Sequence, residues 1–278
     1  FEKTAKVVTI KITKKEIFIF LYDKMKLQKK NNNWLPPTSF EEKIKHIIIP
    51  HKLYIRRLVL KEWIKGRTDI KFLKYLINKN LNSLDVGAYK GVYTYFISKY
   101  SKMVYAFEPN PKSYKILKRT VDKNVKVLPY ALSDESSYNF LKIPKGKKGY
   151  SNQGGSIRNV KLDKNYGKLK VETKKIDDLG LKNIGFIKID AEGVEIKVLK
   201  GAKKLIKKCR PTLLIEIEER YISEPIEETL KKILNLGYRG FALIGEILTP
   251  LKFFDGDKNH RIDYGPNFHA NAFIFISK

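Results

Sequence analysis

From Leu81 onward, short apolar runs alternate with stretches of helical period, and few folds accept that alternation. The runs are "LNSLDVG", "MVYAFEPN", "VKVLPYALS", "IGFIKID" and "PTLLIEIEE". Each is rich in Val, Ile, Leu or aromatic residues and nearly continuous in apolar character. Such runs predict strands of a parallel sheet covered on both faces. Between them, Tyr114, Leu117 and Val121 follow Pro111 at a first helical position, and Val194, Val198, Ala202 and Leu205 follow the fourth run. A further helix carries Ile226, Leu230 and Ile233, with Pro225 at its start and Gly237 as its stop. "YRGFALIGE" and "NAFIFISK" add two more strands. The expectation is an α/β protein, a Rossmann-like seven-stranded sandwich.

The first part of the chain has another character. Residues 1–80 hold 20 Lys and Arg against 7 Asp and Glu. "KVVTIKITKKEIFIFLYD" predicts a β-hairpin turning at Thr13 to Lys15, "NNNWLPPTS" a loop, and "IKFLKYLINKN" a short amphipathic helix. The segment 1–80 is therefore taken as a basic N-terminal extension of hairpin plus helices, and 81–278 as the main domain. The net charge of +28 invites a nucleic-acid reading, yet only 9 of the 57 basic residues are Arg, the side chain best suited to phosphate and base edges. A solvated lysine surface is the first expectation, an acidic or membrane-surface acceptor the second, and dedicated nucleic-acid binding the last. The single cysteine, Cys209, excludes an internal disulfide and a cysteine-built zinc site. No apolar run approaches the roughly 20 residues of a membrane span. Nothing after Phe1 resembles a signal peptide, so the chain reads as trimmed rather than secreted, and the expected location is cytoplasmic.

The stretch "SLDVGAYKGVYTYF" breaks the first predicted strand into a D-x-G-x-x-x-G loop, with Asp85, Gly87 and Gly91. A dinucleotide fingerprint needs a second glycine under the pyrophosphate, and Tyr89 occupies that place. This disfavours NAD. S-adenosylmethionine carries no phosphate and asks instead for nearby backbone, here Gly87 and Ala88, and for an acid near its ammonium, here Asp85. Glu108, at the end of the second run, lies 21 residues after Gly87, near the offset at which a carboxylate meets ribose hydroxyls.

Together with "VYAFEPNPKSYKILKR", "VLPYALSD", "VETKKIDDL", "IKIDAEGVEIKVLKGA" and "RPTLLIEI", this stretch resembles the FkbM-type S-adenosylmethionine-dependent methyltransferases over approximately residues 81–218. The resemblance implies S-adenosylmethionine as cofactor and transfer of its methyl group, usually to a hydroxyl of a sugar, glycan or polyketide-type acceptor. By position in the fold and by that resemblance, Leu132 and Ser133 of "ALSD" flank the adenine. Two other readings remain open: an RNA-modifying methyltransferase that uses the basic N-terminal segment, and a non-catalytic nucleoside-binding module.

The fourth run ends in Lys188 and Asp190 on one strand face, with Glu192 just beyond. Burying a lone Lys or Asp on a central strand is costly, so the two are paired or functional. A structural ion pair, with Asp190 capping a helix near Gly193, is the plain alternative. Methyl transfer requires alignment of the acceptor oxygen and removal of its proton. Asp190 or Glu192 can take or relay that proton, and Lys188 can orient the acceptor or hold a carboxylate ionised. Glu216 ranks second on the same rim. His260 and His269 lie near a loop that can cover the site, although a surface histidine is the commoner reading. Asp255 and Asp257 lack fixed ligand spacing toward Asp190 and Glu192, so no metal is expected.

Overall fold

The computed structural model describes residues 34–37, 49–65, 67–146, 149–150, 154–158, 166–261 and 269–277. The predicted hairpin lies outside the described residues. The chain divides into two compact units, Phe1–Trp34 and Leu35–Lys278, and every element below belongs to the second.

Two helices come first, α1 (His51–Ile64) and α2 (Thr68–Leu76). A β/α alternation follows: β1 (Asn82–Val86), α3 (Val92–Tyr100), β2 (Val104–Phe107), α4 (Pro111–Thr120) and β3 (Val125–Leu128). Next come four strands of a separate small sheet, β4 (Ala131–Leu132), β5 (Ser137–Gly146), β6 (Gly149–Tyr150) and β7 (Tyr166–Lys174). The large sheet resumes with β8 (Ile184–Ile189), α5 (Glu195–Lys200), α6 (Lys203–Cys209), β9 (Thr212–Glu216), α7 (Ile226–Leu234), β10 (Tyr238–Ile244), β11 (Ile247–Pro250) and β12 (Ala272–Ser277).

The large sheet has eight strands in the order β11-β10-β12-β9-β8-β1-β2-β3. From β9 to β3 all neighbours run parallel, and β10, β11 and β12 pair antiparallel at the other edge. The expected count of seven is corrected by β11. That strand pairs with β10 across Gly245–Glu246, so "YRGFALIGEILTP" is a hairpin rather than one strand. The small sheet, in the order β4-β7-β5-β6, was not anticipated at all. Strand β7 does alternate, burying Gly167, Leu169, Val171 and Thr173 and exposing Lys168 and Lys170, but β5 exposes Tyr138 and Phe140, so a common apolar face is set only when the two strands pair.

Each helix starts where the local chemistry lets it. Pro111 stands at the first position of α4, and the Asn110 side chain accepts from the Lys112 N–H at 3.0 Å. Helix α7 begins after Pro225 and buries Ile226, Thr229, Leu230 and Ile233 on one stripe. The predicted helix after β8 is broken at Gly201 into α5 and α6. A Cβ there would come 2.0 Å from the Ser133 carbonyl oxygen, which explains the small residue at the break.

Strand alternation sorts the core into two layers. Leu84, Val86, Ile187 and Ile189 face α5, α6 and α7 through Val198, Leu205 and Leu230. Phe186 and Leu214 face the other way and pack with Ile70, Leu73 and Ile97 from α2 and α3. Helix α2, inside the basic 1–80 segment, is therefore part of the same core as the sheet. Ser83, Asp85 and Lys188 share the α2–α3 side with Phe186 by the same parity. Among the described residues no helix is long and apolar enough to cross a membrane.

Candidate active site

Strand order reverses between β8 and β1, which places a crevice at their carboxyl ends. Register sets Asp85 of β1 opposite Lys188 of β8. Both are buried, at 0% and 2% exposure. Lys188 Nζ lies 3.8 Å from Asp85 Oδ1, 3.3 Å from Asp190 Oδ2 and 3.3 Å from the Gly87 carbonyl oxygen. Thr94 of α3 donates to Asp85 Oδ2 at 2.5 Å, while Asp85 Oδ1 has no hydrogen-bond partner among the described residues. Burial raises the Asp85 carboxyl against the opposing pull of Lys188 and Thr94. Burial pulls the Lys188 ammonium down, but Asp190 and Asp85 outweigh it and hold the group above its ordinary value. Lys188 is thus a fixed positive charge with more carboxylate around it than it can hydrogen-bond closely.

The loop after β1 is locked onto the loop after β8. Gly87 has φ +75°, and a Cβ on it would meet the Asp190 carbonyl oxygen at 1.9 Å. Only glycine allows that conformation and that approach. Glu108, just past β2, is buried and accepts from the Tyr89 N–H at 2.7 Å and the Asn110 N–H at 2.8 Å. The loop and the acid paired by spacing are therefore bonded to each other through the residue that replaces the dinucleotide glycine. Burial raises Glu108 to about 7 in spite of those two bonds.

A cavity of about 480 Å³ opens here, with Gly87, Ala88 and Glu108 at one side and Leu132 on an apolar wall. Lys188, Asp190 and Glu192 also line it, Lys188 and Asp190 directly beside Gly87. Its volume falls within the range of about 300–1,000 Å³ typical of small-ligand sites. Asp85, Gly91 and Ser133 stand behind this lining rather than in it. Asp85 is sealed under Lys188; Gly91, at φ 91°, precedes α3; and the Ser133 hydroxyl donates to Asp134 at 3.0 Å.

A second cavity of about 370 Å³ adjoins the first and shares Gly154, Asp190, Glu192 and Glu216 with it. Strand β5 and the segment 154–158 form its far wall, joined by the Lys142 N–H to Ser156 carbonyl bond at 2.8 Å and its reciprocal at 3.1 Å. The Ser156 hydroxyl donates to the Glu192 carbonyl oxygen at 2.6 Å, tying that wall to the β8 turn. Burial, then the neighbouring Asp190 and Glu195, raises Glu192 to about 7. Burial and Asp190 raise Glu216 to about 8, with Arg67 opposing.

The helix-cap role weighed for Asp190 is not taken up: α5 starts after Val194 without a side-chain cap, and the turn before it is bonded by Glu195. Glu195 Oε1 accepts from the Ala191 N–H at 3.1 Å and the Gly193 N–H at 2.9 Å. Asp190 is left facing Lys188 and both cavities. Arg67 was not singled out in the sequence. Its Nε and Nη2 donate to Asp69 at 3.2 and 2.9 Å, Nη2 donates to the Tyr93 hydroxyl at 2.7 Å, and Nη2 lies 3.5 Å from Glu216 Oε2. The R-x-D spacing before a helical period was its only local signal. His260 is buried as a tether: it donates from Nδ1 to the Ala270 carbonyl oxygen at 2.7 Å and accepts at Nε2 from the Glu219 N–H at 3.0 Å. His269 stacks on it with centroids 4.9 Å apart, and neither ring lines a cavity. Among the described residues no group of His, Cys, Asp and Glu is placed to hold a metal ion.

A nucleoside crevice at the switch point of a Rossmann-like sheet, with a carboxylate after the second strand, defines the class. The methyltransferase FkbM domain model matches residues 85–239, more than half of the chain. The chain belongs to the FkbM methyltransferase family. No curated protein matches it. Among solved structures, methyltransferase FkbM from Methylobacillus flagellatus KT is 18% identical, with a TM-score of 0.45. That match covers 72% of this chain and 44% of the other, so the chain spans under half of that relative's length. An rRNA methylase from Streptococcus thermophilus is 12% identical over 75% of this chain and 93% of its own, at a TM-score of 0.43. A Streptococcus mutans protein solved in complex with SAH is 13% identical over 75% and 95%, at a TM-score of 0.40.

Proposed function

We propose that this chain methylates a hydroxyl of a sugar, glycan or related small-molecule acceptor. One observation carries the reading: two adjoining cavities meet along a rim made of Asp190, Glu192 and Glu216. The first suits the cofactor. Glu108 offers its carboxylate to ribose hydroxyls, Leu132 gives the adenine an apolar wall, and the rim acids face the end that carries positive charge. When bound, S-adenosylmethionine supplies a methyl group on a cationic sulfur, ready for displacement by oxygen. The protein then has to position a hydroxyl and receive its proton. Glu192 is the acceptor of that proton, because a carboxyl near 7 both exists as the base at neutral pH and binds a proton readily. Asp190, held by Lys188 at 3.3 Å, orients the hydroxyl. Asp85 acts through Lys188 as a buried counter-charge. Tyr166 and Tyr221 line the second cavity and offer ring faces to a sugar.

Asp190, Glu192 and Glu216 along the shared rim oppose a run of backbone phosphates at the point of transfer, which favours a small acceptor over RNA. The test compares glycans and small metabolites, by mass spectrometry, from cells with and without this protein. A lost methyl group on a sugar hydroxyl supports the reading, and an unchanged glycan profile with a lost RNA methyl group rejects it.

A further inference from the structure

We infer that the second cavity takes an acceptor bearing an anionic group, a carboxylate or a phosphate, seated on Lys142 and Arg158. This rests on the acceptor reading above and names the chemistry that distinguishes one hydroxyl compound from another.

Lys142 projects from β5 at 8% exposure and lines the cavity. Its ammonium donates to the Arg158 backbone carbonyl, and among the described residues no carboxylate pairs with it. Arg158 is equally without a carboxylate partner among the described residues. Its guanidinium stands 4.5 Å from the Tyr221 ring centroid, and Nη1 donates to the Arg220 carbonyl oxygen at 3.4 Å. Burial pulls the Lys142 ammonium down, and Lys168 and Arg158 push it the same way. The other buried lysine among the described residues, Lys188, is answered by Asp85 and Asp190. A half-enclosed ammonium beside a second unpaired cation costs free energy unless an anion joins it.

The charges in this cavity are also sorted. Lys142 and Arg158 stand on the wall built from β5 and the 154–158 segment, and Asp190, Glu192 and Glu216 on the edge shared with the first cavity; of the remaining charges, Glu218 pairs with Arg220 at 3.8 Å and Glu195 bonds the 191–193 turn. An acceptor with its anion on the basic wall directs uncharged hydroxyls at the acidic rim where methyl transfer takes place. The reverse orientation would set an anion against those carboxylates. Polarity across one cavity therefore fixes both which end enters and which compounds fit.

The experiment uses the full chain saturated with S-adenosylhomocysteine and three probes on one hexose skeleton, a neutral methyl glycoside, the hexuronate and the hexose phosphate, with inorganic phosphate as a fourth. Affinities are read by ligand-observed NMR titration. At least one anionic sugar is expected to bind about tenfold or more tighter than the neutral one, the size of a charge-assisted contact. The identity of that probe separates carboxylate from phosphate. Lys142→Met and Arg158→Gln should each shrink the gap while S-adenosylhomocysteine affinity stays unchanged. Should Lys142→Met fail to fold, Arg158→Gln, on a more exposed side chain, carries the comparison. Equal affinity for neutral and anionic sugars, a gap that persists in the folded variants, or no binding by any anion overturns the inference. A chain that binds phosphate through Lys142 but methylates no sugar hydroxyl loses the acceptor reading and keeps this one. A chain that methylates neutral sugars as fast as anionic ones keeps that reading and loses this one.

Discussion

Two ionic clusters in this protein each set one cation among several carboxylates, Arg261 with Glu219, Glu227 and Asp257 and Lys188 with Asp85 and Asp190, and they behave as opposites. Around Arg261, Glu219 is held by Nε at 2.9 Å and Nη2 at 2.7 Å, Glu227 by Nη2 at 2.6 Å, and Asp257 by Nη1 at 2.8 Å. Every partner is short and each guanidinium nitrogen is used, so the cluster clamps α7, the 219–221 turn and the 257–261 π-turn together. Around Lys188 the contacts run from 3.3 to 3.8 Å, one Asp85 oxygen has no hydrogen bond among the described residues, and two rim glutamates sit far above their ordinary values. A cluster that satisfies itself is structural. One that leaves charge and hydrogen-bonding capacity unspent is arranged for something that binds.

The strongest way to break this contrast is Glu192→Gln. A proton acceptor contributes about 10²-fold to 10⁴-fold, so turnover at saturating cofactor should fall by that order while the chain stays folded by circular dichroism. Asp190→Asn sharpens the assignment: it should lower turnover too, with S-adenosylhomocysteine binding intact by titration calorimetry, because Glu195 and not Asp190 bonds the turn. Normal rates in Asp190→Asn would place that residue on the structural side of the comparison.

Glu108→Ala should weaken S-adenosylhomocysteine binding by about 10-fold to 150-fold, the equivalent of roughly 1.5–3 kcal/mol for a charge-assisted hydrogen bond. Unchanged affinity in a folded variant, by calorimetry and circular dichroism, would reject the ribose role.

The pH responses should carry opposite signs. Glu108 and Glu192 rise from 4.5 to about 7 on folding, so between those values the folded state binds the extra protons. Their contribution to stability is fully present below about 4.5 and is lost as pH rises through about 7. Glu219 and Glu227 are lowered by their hydrogen bonds to Arg261, so their contribution is present above 4.5 and lost as pH falls through their depressed values. Turnover should climb about tenfold per pH unit below about 7 as Glu192 becomes the base, then level off. A flat rate profile from pH 5 to 8 would remove Glu192 from that role. Thermal melts across pH should lose the Glu219 and Glu227 share of the acid limb in Arg261→Met and the Glu192 share of the limb between 4.5 and 7 in Glu192→Gln, where Glu108 keeps its own.

The smallest effect belongs to Arg261→Met at neutral pH. Its partners are partly solvated, so the melting temperature should drop by no more than about 4 °C with turnover unchanged. A loss of turnover would show that the clamp reaches the site through Glu218 and the 219–221 turn.

Much of the site was legible because it depends on short-range order. The strand-loop-helix chemistry of residues 83–96, the acid 21 positions after Gly87, and the K-I-D-A-E-G run each sit within one element and its flanking turn. Strand parity alone put Lys188 and Asp190 on one face. Arg67, Lys142 and Arg158 were illegible for the opposite reason: each reaches the crevice from an element whose local pattern says nothing about where it packs. The small sheet was missed because its lysine-rich alternation, read alone, is that of a solvated surface, and only its pairing shows it closing a cavity. Asp85 was recognised as an important acid, but its place beneath Lys188 rather than in the cavity follows from a register across more than 100 residues.

The sequence by itself determined the sheet type and the loop-plus-acid spacing that disfavours a dinucleotide, since apolar runs, glycine turns and acid spacing act over distances that one βα unit spans, and its motifs carried the resemblance that implies the cofactor. Only the tertiary structure decided which carboxylates remain unanswered, which cations lack a partner, and that two cavities meet at Asp190, Glu192 and Glu216. Burial and charge pairing are sums over neighbours contributed by the whole fold, and those sums do not exist until the distant segments have come together.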